Sequence, residues 1–249
     1  MRLQRRCPAE AELTVHTQTL ARDQNARIKQ LDGHSDSALV AELRPTQSTV
    51  GFREVARKRR RLHSEPVAGG STSFRRRIPV VRGPGGRLFL LDNHHFARAL
   101  YDEGVAAVPV AIVADMSPLT TGDFWQVCED RGWCHPYDAA GRRHETSLLP
   151  GEVGELTDDP FRSLASAVRR AGGFVKSAAP YSEFGWADFL RRQIPRAALD
   201  ADFDQAVGTA LALAISPAAA HLPGWLGPGD RRVTYSAGRR GAAPFPGVY

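Results

Sequence analysis

The chain has 249 residues, 42% of them hydrophobic, so it is long enough to bury one sizeable core. No stretch approaches the ~18 consecutive apolar residues of a membrane span, and the N-terminus lacks the apolar region of a secretory signal. No membrane partner is therefore expected, and no feature points to a particular protein partner. Cys7, Cys128 and Cys134 are too few, and odd in number, for a disulfide framework, which favours a cytoplasmic location.

The net charge of +6 is unevenly distributed along the chain. Residues Arg53–Arg82 contain ten Lys and Arg against only Glu54 and Glu65. Such clustering favours a polyanionic partner, either a nucleotide or a nucleic acid. The alternative is that Arg57–Arg61 is the solvated end of a helix, because no aromatic residue is interleaved with these basic residues.

The first half of the chain predicts a small sheet with helices. Residues 1–40 mix polar and charged types with weak periodicity, which indicates a poorly ordered leader. The spacing of apolar residues predicts a helix over Val50–Leu62. Two β-rich runs, Ile78–Arg82 and Arg87–Leu91, flank Gly83–Gly86, and this pattern predicts a β-hairpin.

The hairpin leads to a predicted helix that runs from Asp92 to Glu103, with Asp92 as N-cap and Gly104 as the residue that ends it. A third strand is predicted over Val108–Ala114. Further helices are predicted from near Thr120, from Asp159 to Ala171, over Ser182–Ile194 and over Asp202–Ile215. The expected organisation is a core over 41–118, a helical extension of the same domain over 119–215, and a flexible Gly/Pro-rich tail over 216–249.

The junction at Asp92 is the strongest candidate for a functional site. An apolar strand ends there, and His94 and His95 fall on the first turn of the helix that follows. Free N–H groups and the helix dipole favour a bound anion at such a turn. The junction therefore predicts a phosphate site, and the alternative is a capped helix with two surface histidines.

A metal-binding interpretation of the histidines and cysteines is weaker. His94 and His95 are adjacent, so they point to different sides of a helix. Cys128, Cys134 and His135 lack the tight Cys-x2-Cys spacing of zinc sites. Structural zinc is therefore not expected.

Several segments together resemble the ParB-like nuclease family, a branch of the ParB/sulfiredoxin superfamily. The resemblance covers about residues 42–195, and it implies an α+β fold with a small sheet, flanking helices and a helical C-terminal extension. It also implies a phosphate site where a strand leads into a helix. The segments that carry it are Leu43–Gln47, Val50–Val55, Gly83–Gly86, Asp92–His95, Phe124–Trp125, Asp158–Leu164 and Glu183–Phe189.

Within that superfamily the junction motif varies. ParB proteins carry Gly-Glu-Arg-Arg, sulfiredoxins Gly-Cys-His-Arg, and the related free-serine kinases an Asp-Gly-His-Thr type, which Asp92–His95 resembles most. The resemblance therefore implies Asp92 and His94 as catalytic or phosphate-binding residues, with His95 a weaker candidate. Asn93 stands where sulfiredoxins have cysteine, so sulfinic-acid repair is not expected, and the replaced arginine pair argues against a CTP-dependent clamp.

Phosphoryl transfer needs a phosphate cradle, charge neutralisation and usually a base. Glu54 is the predicted base, His94 the predicted donor or proton shuttle, and Asp92 the predicted ligand of Mg²⁺. The alternatives are an ion pair of Glu54 with Lys58, and a solvated Lys58. The predicted phosphate- or substrate-binding residues are Thr46, Gln47, Lys58, Asn93, His95 and Arg98.

Two functions follow from these residues. The first is an enzyme that binds a phosphoester or a nucleotide such as ATP or CTP, and that acts as a nuclease-like hydrolase or a kinase-like phosphotransferase on a small molecule. The alternative is a non-catalytic nucleotide- or DNA-binding module of ParB type.

Overall fold

The computed structural model describes residues 36–64, 77–177, 179 and 181–228. The strands are β1 (Ser37–Leu39), β2 (Thr49–Val50), β3 (Ile78–Arg82), β4 (Leu88–Leu90), β5 (Ala107–Asp115) and β6 (Thr157–Asp158). The helices are α1 (Phe52–Ser64), α2 (His94–Asp102), α3 (Thr121–Asp130), α4 (Pro160–Arg170), α5 (Ser182–Gln193), α6 (Arg196–Ala201) and α7 (Phe203–Ala214).

The main sheet has the order β1-β5-β3-β4. β5 pairs antiparallel with β1 and parallel with β3, and β4 pairs antiparallel with β3. The predicted hairpin is β3 and β4, in which Val80 lies opposite Leu90. Its turn uses Gly85 and Gly86 at positive φ, which glycine adopts without a steric cost.

The start of α2 differs from the prediction. Asn93, not Asp92, is the N-cap residue, and it adopts a left-handed conformation with φ 67°. The Asp92 carboxylate accepts a hydrogen bond from Asn93 N at 2.6 Å instead of capping the first turn of the helix. Asn tolerates this conformation better than most residues, so the chain turns sharply between β4 and α2.

The helical extension has its own core and is attached to the sheet domain by backbone pairing. Helices α4, α5 and α7 bury one apolar cluster, in which Trp186 stacks on Phe174 with ring centroids 4.1 Å apart. β2 lies just before α1, β6 lies just before α4, and the two strands pair in parallel. This pairing places the helical extension next to the sheet domain, on the side of the predicted strand–helix junction at Asp92.

The predicted ends of the domain differ from the observed ones where the structure describes them. β1 falls within the predicted leader and pairs with β5, so the sheet begins before residue 41. Part of the predicted tail is also folded, since Leu222 and Trp225 pack on the core of the extension. Residues 1–35 and 229–249 lie outside the described residues. No helix within the described ranges has the length and apolar character needed to cross a membrane.

Candidate functional site: a cavity between the strand–helix junction and the extension

A cavity of about 400 Å³ opens beside the N-terminus of α2. The sheet domain contributes Thr46, Gln47, Asp92, His94 and His95 to its wall. The extension and the loops around it contribute His135, Arg162, Lys176, Tyr181, Glu183 and Phe184. The structure therefore brings five predicted residues together with six that were not predicted.

Arg162 is the most informative of the unpredicted residues. It lies on the first turn of α4 and is only 4% exposed, yet its Nε and Nη1 atoms have no hydrogen-bond partner. Its guanidinium lies 3.4 Å from the ring centroid of Phe184. Burial lowers the pKa of Arg162 to about 10, and the charges of nearby acids only partly offset this effect. A buried guanidinium with two unpaired nitrogen atoms beside a cavity is suited to an anionic ligand.

His94 and His95 are each held by a backbone amide. Thr46 N donates to His94 Nε2 at 3.1 Å, and Gly51 N donates to His95 Nε2 at 2.9 Å. In both neutral rings the proton is therefore on Nδ1. Burial and the charge of Arg162 lower the pKa of His94 to about 3 and that of His95 well below its ordinary value. Both imidazoles are consequently neutral near pH 7.

His135 is a third neutral imidazole on the cavity wall. Burial, together with the charges of Arg162 and Arg191, lowers its pKa to about 3. Its ring packs against Phe184, with centroids 3.7 Å apart, and against Tyr137. Its backbone N donates to Thr46 O at 2.7 Å, which ties this loop to the residue that holds His94.

The other polar residues from the segment before α1 have structural partners. Thr46 Oγ1 donates to Leu90 O at 2.6 Å, and Gln47 Nε2 donates to Thr49 O at 2.8 Å. Both side chains still line the cavity. Asp92 is exposed and lines it too, whereas Asn93 next to it does not.

Glu54, the predicted base, does not line this cavity. It is buried and forms ion pairs with Arg57 and Arg170. Burial raises the pKa of Glu54, but the Arg57 hydrogen bonds and the charges of Arg170, Arg57 and Lys58 outweigh it, so the pKa lies below its ordinary value. A carboxylate held in this way has low basicity and no access to a ligand in the cavity. The ion-pair partners of Glu54 are thus two arginines, Arg57 and Arg170.

Lys58 and Arg98 also lie outside the cavity wall. Lys58 is near enough to influence both Glu54 and His95 electrostatically. Arg98 donates to Asp102 at 2.8 Å and to Leu156 O at 2.5 Å. Arg98 therefore joins α2 to the segment before α4, which is a structural role.

The described residues contain no group of three or more His, Cys, Asp or Glu side chains placed to hold a metal ion. Mg²⁺ commonly uses only one or two protein carboxylates together with phosphate oxygens and waters. The carboxylates on the cavity wall are those of Asp92, the predicted Mg²⁺ ligand, and Glu183.

The basic region Arg53–Arg82 is described only in part, because residues 65–76 lie outside the described residues. Within it, Arg57 pairs with Glu54, Arg59 with Glu103, and Arg82 with Asp115 at 3.7 Å. At least three of its ten basic side chains thus have an acidic partner within the protein.

A mixed sheet whose edge strand β4 leads into a helix beside a polar cavity, followed by a helical extension, is an architecture of ParB-like type. The family model described as "Putative ParB-like nuclease" matches residues 37–192, more than half of the chain, and the protein belongs to this family. The predicted family and α+β fold are confirmed.

The comparison with solved structures supports the same assignment. The crystal structure of protein Atu1540 from Agrobacterium tumefaciens is similar with a TM-score of 0.73 and 46% sequence identity. The match covers 77% of this chain and 96% of that one. The search of curated proteins found no match.

Sequence reasoning missed Arg162, because only the structure shows that every residue from Phe161 to Val168 is buried. A charged residue inside so buried a stretch is unusual. The sequence does not reveal that the whole circumference of α4 is covered, because that depends on packing with distant elements.

Proposed function

We propose that the protein binds a phosphate ester in the cavity between the strand–helix junction and the extension, and that it hydrolyses that ester. The observation that carries the proposal is the buried Arg162, which lines the cavity together with His94 and His95 and whose Nε and Nη1 have no hydrogen-bond partner. Such a charge is costly to bury unless an anion completes its hydrogen bonds. Phosphate matches the planar donor fork of arginine.

The first turn of α2 supplies further donors in this proposal. His94 and His95 carry their protons on Nδ1, so each ring offers one N–H group without adding positive charge. A neutral imidazole in such a place donates a hydrogen bond to developing negative charge. Backbone N–H groups at the helix start favour the same anion.

Asp92 has the catalytic role. Its carboxylate would hold Mg²⁺ together with oxygens of the bound phosphate, or would accept a proton from the attacking water. When Mg²⁺ is bound, it would supply charge neutralisation at the phosphate. The water oxygen forms a bond to phosphorus while one of its protons passes to Asp92 or to solvent. The bond to the leaving oxygen breaks, and the leaving oxygen takes up a proton from Asp92 or from solvent.

The burial of Arg162 defines which phosphates can reach it. Phosphates of a duplex lie on its outer surface and contact side chains that protrude, whereas Arg162 is 4% exposed at a cavity wall. A small ester, a nucleotide or the end of a single strand can enter such a cavity. We therefore propose that the substrate is one of these and not the interior of a DNA duplex.

A second function is supported by a separate observation. The Nε2 atoms of both junction histidines already accept backbone hydrogen bonds. Neither ring can therefore accept a proton from water without losing that bond. This favours the alternative of a non-catalytic nucleotide-binding module of ParB type.

The test combines calorimetric binding of ATP and a dinucleotide with hydrolysis of bis(p-nitrophenyl) phosphate, each in MgCl₂ and in EDTA. Arg162→Met should weaken binding by about 100-fold, since charge-assisted hydrogen bonds contribute about 1.5–3 kcal/mol each. Arg196→Met is the matched control, because it removes the same charge from the exposed Arg196–Asp200 pair. Arg196→Met should leave both binding and hydrolysis unchanged.

Asp92→Asn separates the two functions. Loss of turnover with retained binding supports the enzyme, whereas binding without turnover in the unchanged protein supports the module. Equal binding by the Arg162→Met protein and the Arg196→Met control would contradict both functions.

A further inference from the structure

Ser48 and His144 form a hydrogen-bonded pair outside the cavity described above. Ser48 Oγ lies 2.7 Å from His144 Nε2, although the residues are far apart in sequence. Both are half-buried and line a second cavity of about 430 Å³. Gln47 faces the first cavity and Ser48 the second, as expected for neighbours in an extended segment.

The hydrogen bonds fix the direction in which a proton would move. His144 Nδ1 lies 3.0 Å from Glu145 O, and because a carbonyl only accepts, Nδ1 carries the proton. In the neutral ring Nε2 is therefore an acceptor, and Ser48 donates to it. Nucleophile, base and a group that orients the base are the three parts of an activated serine.

Backbone hydrogen bonds hold both residues in place. Ser48 O accepts from Thr157 N at 3.1 Å, beside the β2–β6 pairing. His144 N donates to Pro136 O at 2.9 Å. The pair is therefore held by the fold itself, and its geometry does not depend on a ligand.

The second cavity also has an apolar side. Leu148, which is 68% exposed, lines it together with Leu149 and Pro150. We propose that Ser48 and His144 form a second catalytic site, which hydrolyses esters with a small apolar acyl group. The apolar residues would contact the acyl chain.

The reaction proceeds in two steps. Ser48 Oγ attacks the carbonyl carbon of the ester while its proton passes to His144 Nε2. The ester C–O bond then breaks, and the leaving oxygen takes that proton, which leaves an acyl group on Ser48. Water next attacks the acyl carbon and gives a proton to His144, which returns it to Ser48 Oγ as the carboxylic acid departs.

The test uses a fluorophosphonate probe, which forms a phosphorus–oxygen bond with an activated serine and releases fluoride. Intact-mass measurement and peptide mapping of the full chain should place one label on Ser48. His144→Gln should slow labelling by about 100-fold, because general-base catalysis contributes at least that much. Ser147→Ala is the matched control, since Ser147 lines the same cavity and should not affect the rate.

The protein should also hydrolyse p-nitrophenyl butyrate. A variant that slows labelling should slow this hydrolysis as well, and Ser48→Ala should abolish it. A folded protein that is not labelled, or one labelled equally on Ser147, would overturn the proposal. Peptide mapping of the unchanged chain decides the matter even if Ser48→Ala fails to fold. Arg162→Met should be labelled normally, which separates this proposal from the phosphate site.

Discussion

Replacing Arg162 with methionine should weaken phosphate binding without destabilising the protein. Each buried N–H group without a partner costs about 1–3 kcal/mol, and Arg162 has two such nitrogen atoms. The cation–π contact between the guanidinium and the Phe184 ring stabilises the protein by about 2 kcal/mol. The cost of the unpaired N–H groups minus the cation–π stabilisation predicts that Arg162→Met raises the free energy of unfolding by about 2 kcal/mol, within a range of about 0–4.

Arg191→Met should have the opposite effect. Arg191 is also well buried, but it pairs with Asp159 at 2.5 Å and with Asp188. Removing it leaves the carboxylate of Asp159 buried without its partner, which costs about 3–5 kcal/mol. The two substitutions are chemically identical, and Arg191 Nε also lacks a hydrogen-bond partner, so the opposite signs would report mainly on the carboxylate partners that Arg191 has.

Urea unfolding followed by tryptophan fluorescence, in buffer without phosphate, measures both changes. Added nucleotide at 100 times the Kd of the unchanged protein should stabilise that protein by about 2.7 kcal/mol, and the Arg162→Met protein, whose Kd is about 100-fold higher, by only about 0.4 kcal/mol. The reasoning fails if Arg162→Met loses as much stability as Arg191→Met. It also fails if ligand stabilises both proteins equally.

Two further changes test the junction. Burial and the charge of Arg162 lower the pKa values of His94, His95 and His135. As the pH falls through about 6.5, these histidines therefore take up protons in the unfolded chain but not in the folded protein, and the free energy of unfolding falls. His94 alone should contribute a loss of about 2 kcal/mol at pH 5, and unfolding curves that keep the same pH dependence in His94→Gln would refute this. Asn93, at φ 67°, should tolerate glycine, whereas alanine should lower stability by about 1 kcal/mol; equal melting temperatures for the two variants would argue against backbone strain at the turn.

The sequence predicted the elements whose signals are local. The hairpin at Gly83–Gly86 and the helix start at Asp159-Pro160 depend on turn and cap residues, and both are observed. β1 was missed because three residues form a strand only through their pairing with β5. The N-cap at Asp92 was wrong because Asn93 takes the left-handed conformation and displaces it by one residue.

The candidate site was predictable only on the side of the sheet domain. His94 and His95 follow a strand directly, so the sequence places them on a first turn. The partners that fix their protons, Thr46 and Gly51, are more than forty positions away. Glu54 was assigned as a base from its position on α1, and only the packing of α4 against that helix reveals Arg170 beside it.

The division of charge between the two parts of the protein bears on how such a site works. The sheet domain lines the cavity with the neutral imidazoles of His94 and His95 and with the Asp92 carboxylate. The positive charges on its wall, Arg162 and Lys176, both come from the extension, which also contributes Glu183. Gly51 joins the two parts, because its N–H fixes the proton of His95 while a Cβ there would lie 2.5 Å from Ser163 Oγ. Glycine at this position thus lets α4 approach closely enough to bring Arg162 to the cavity. Anion binding in this protein is therefore a property of the sheet domain and the extension together.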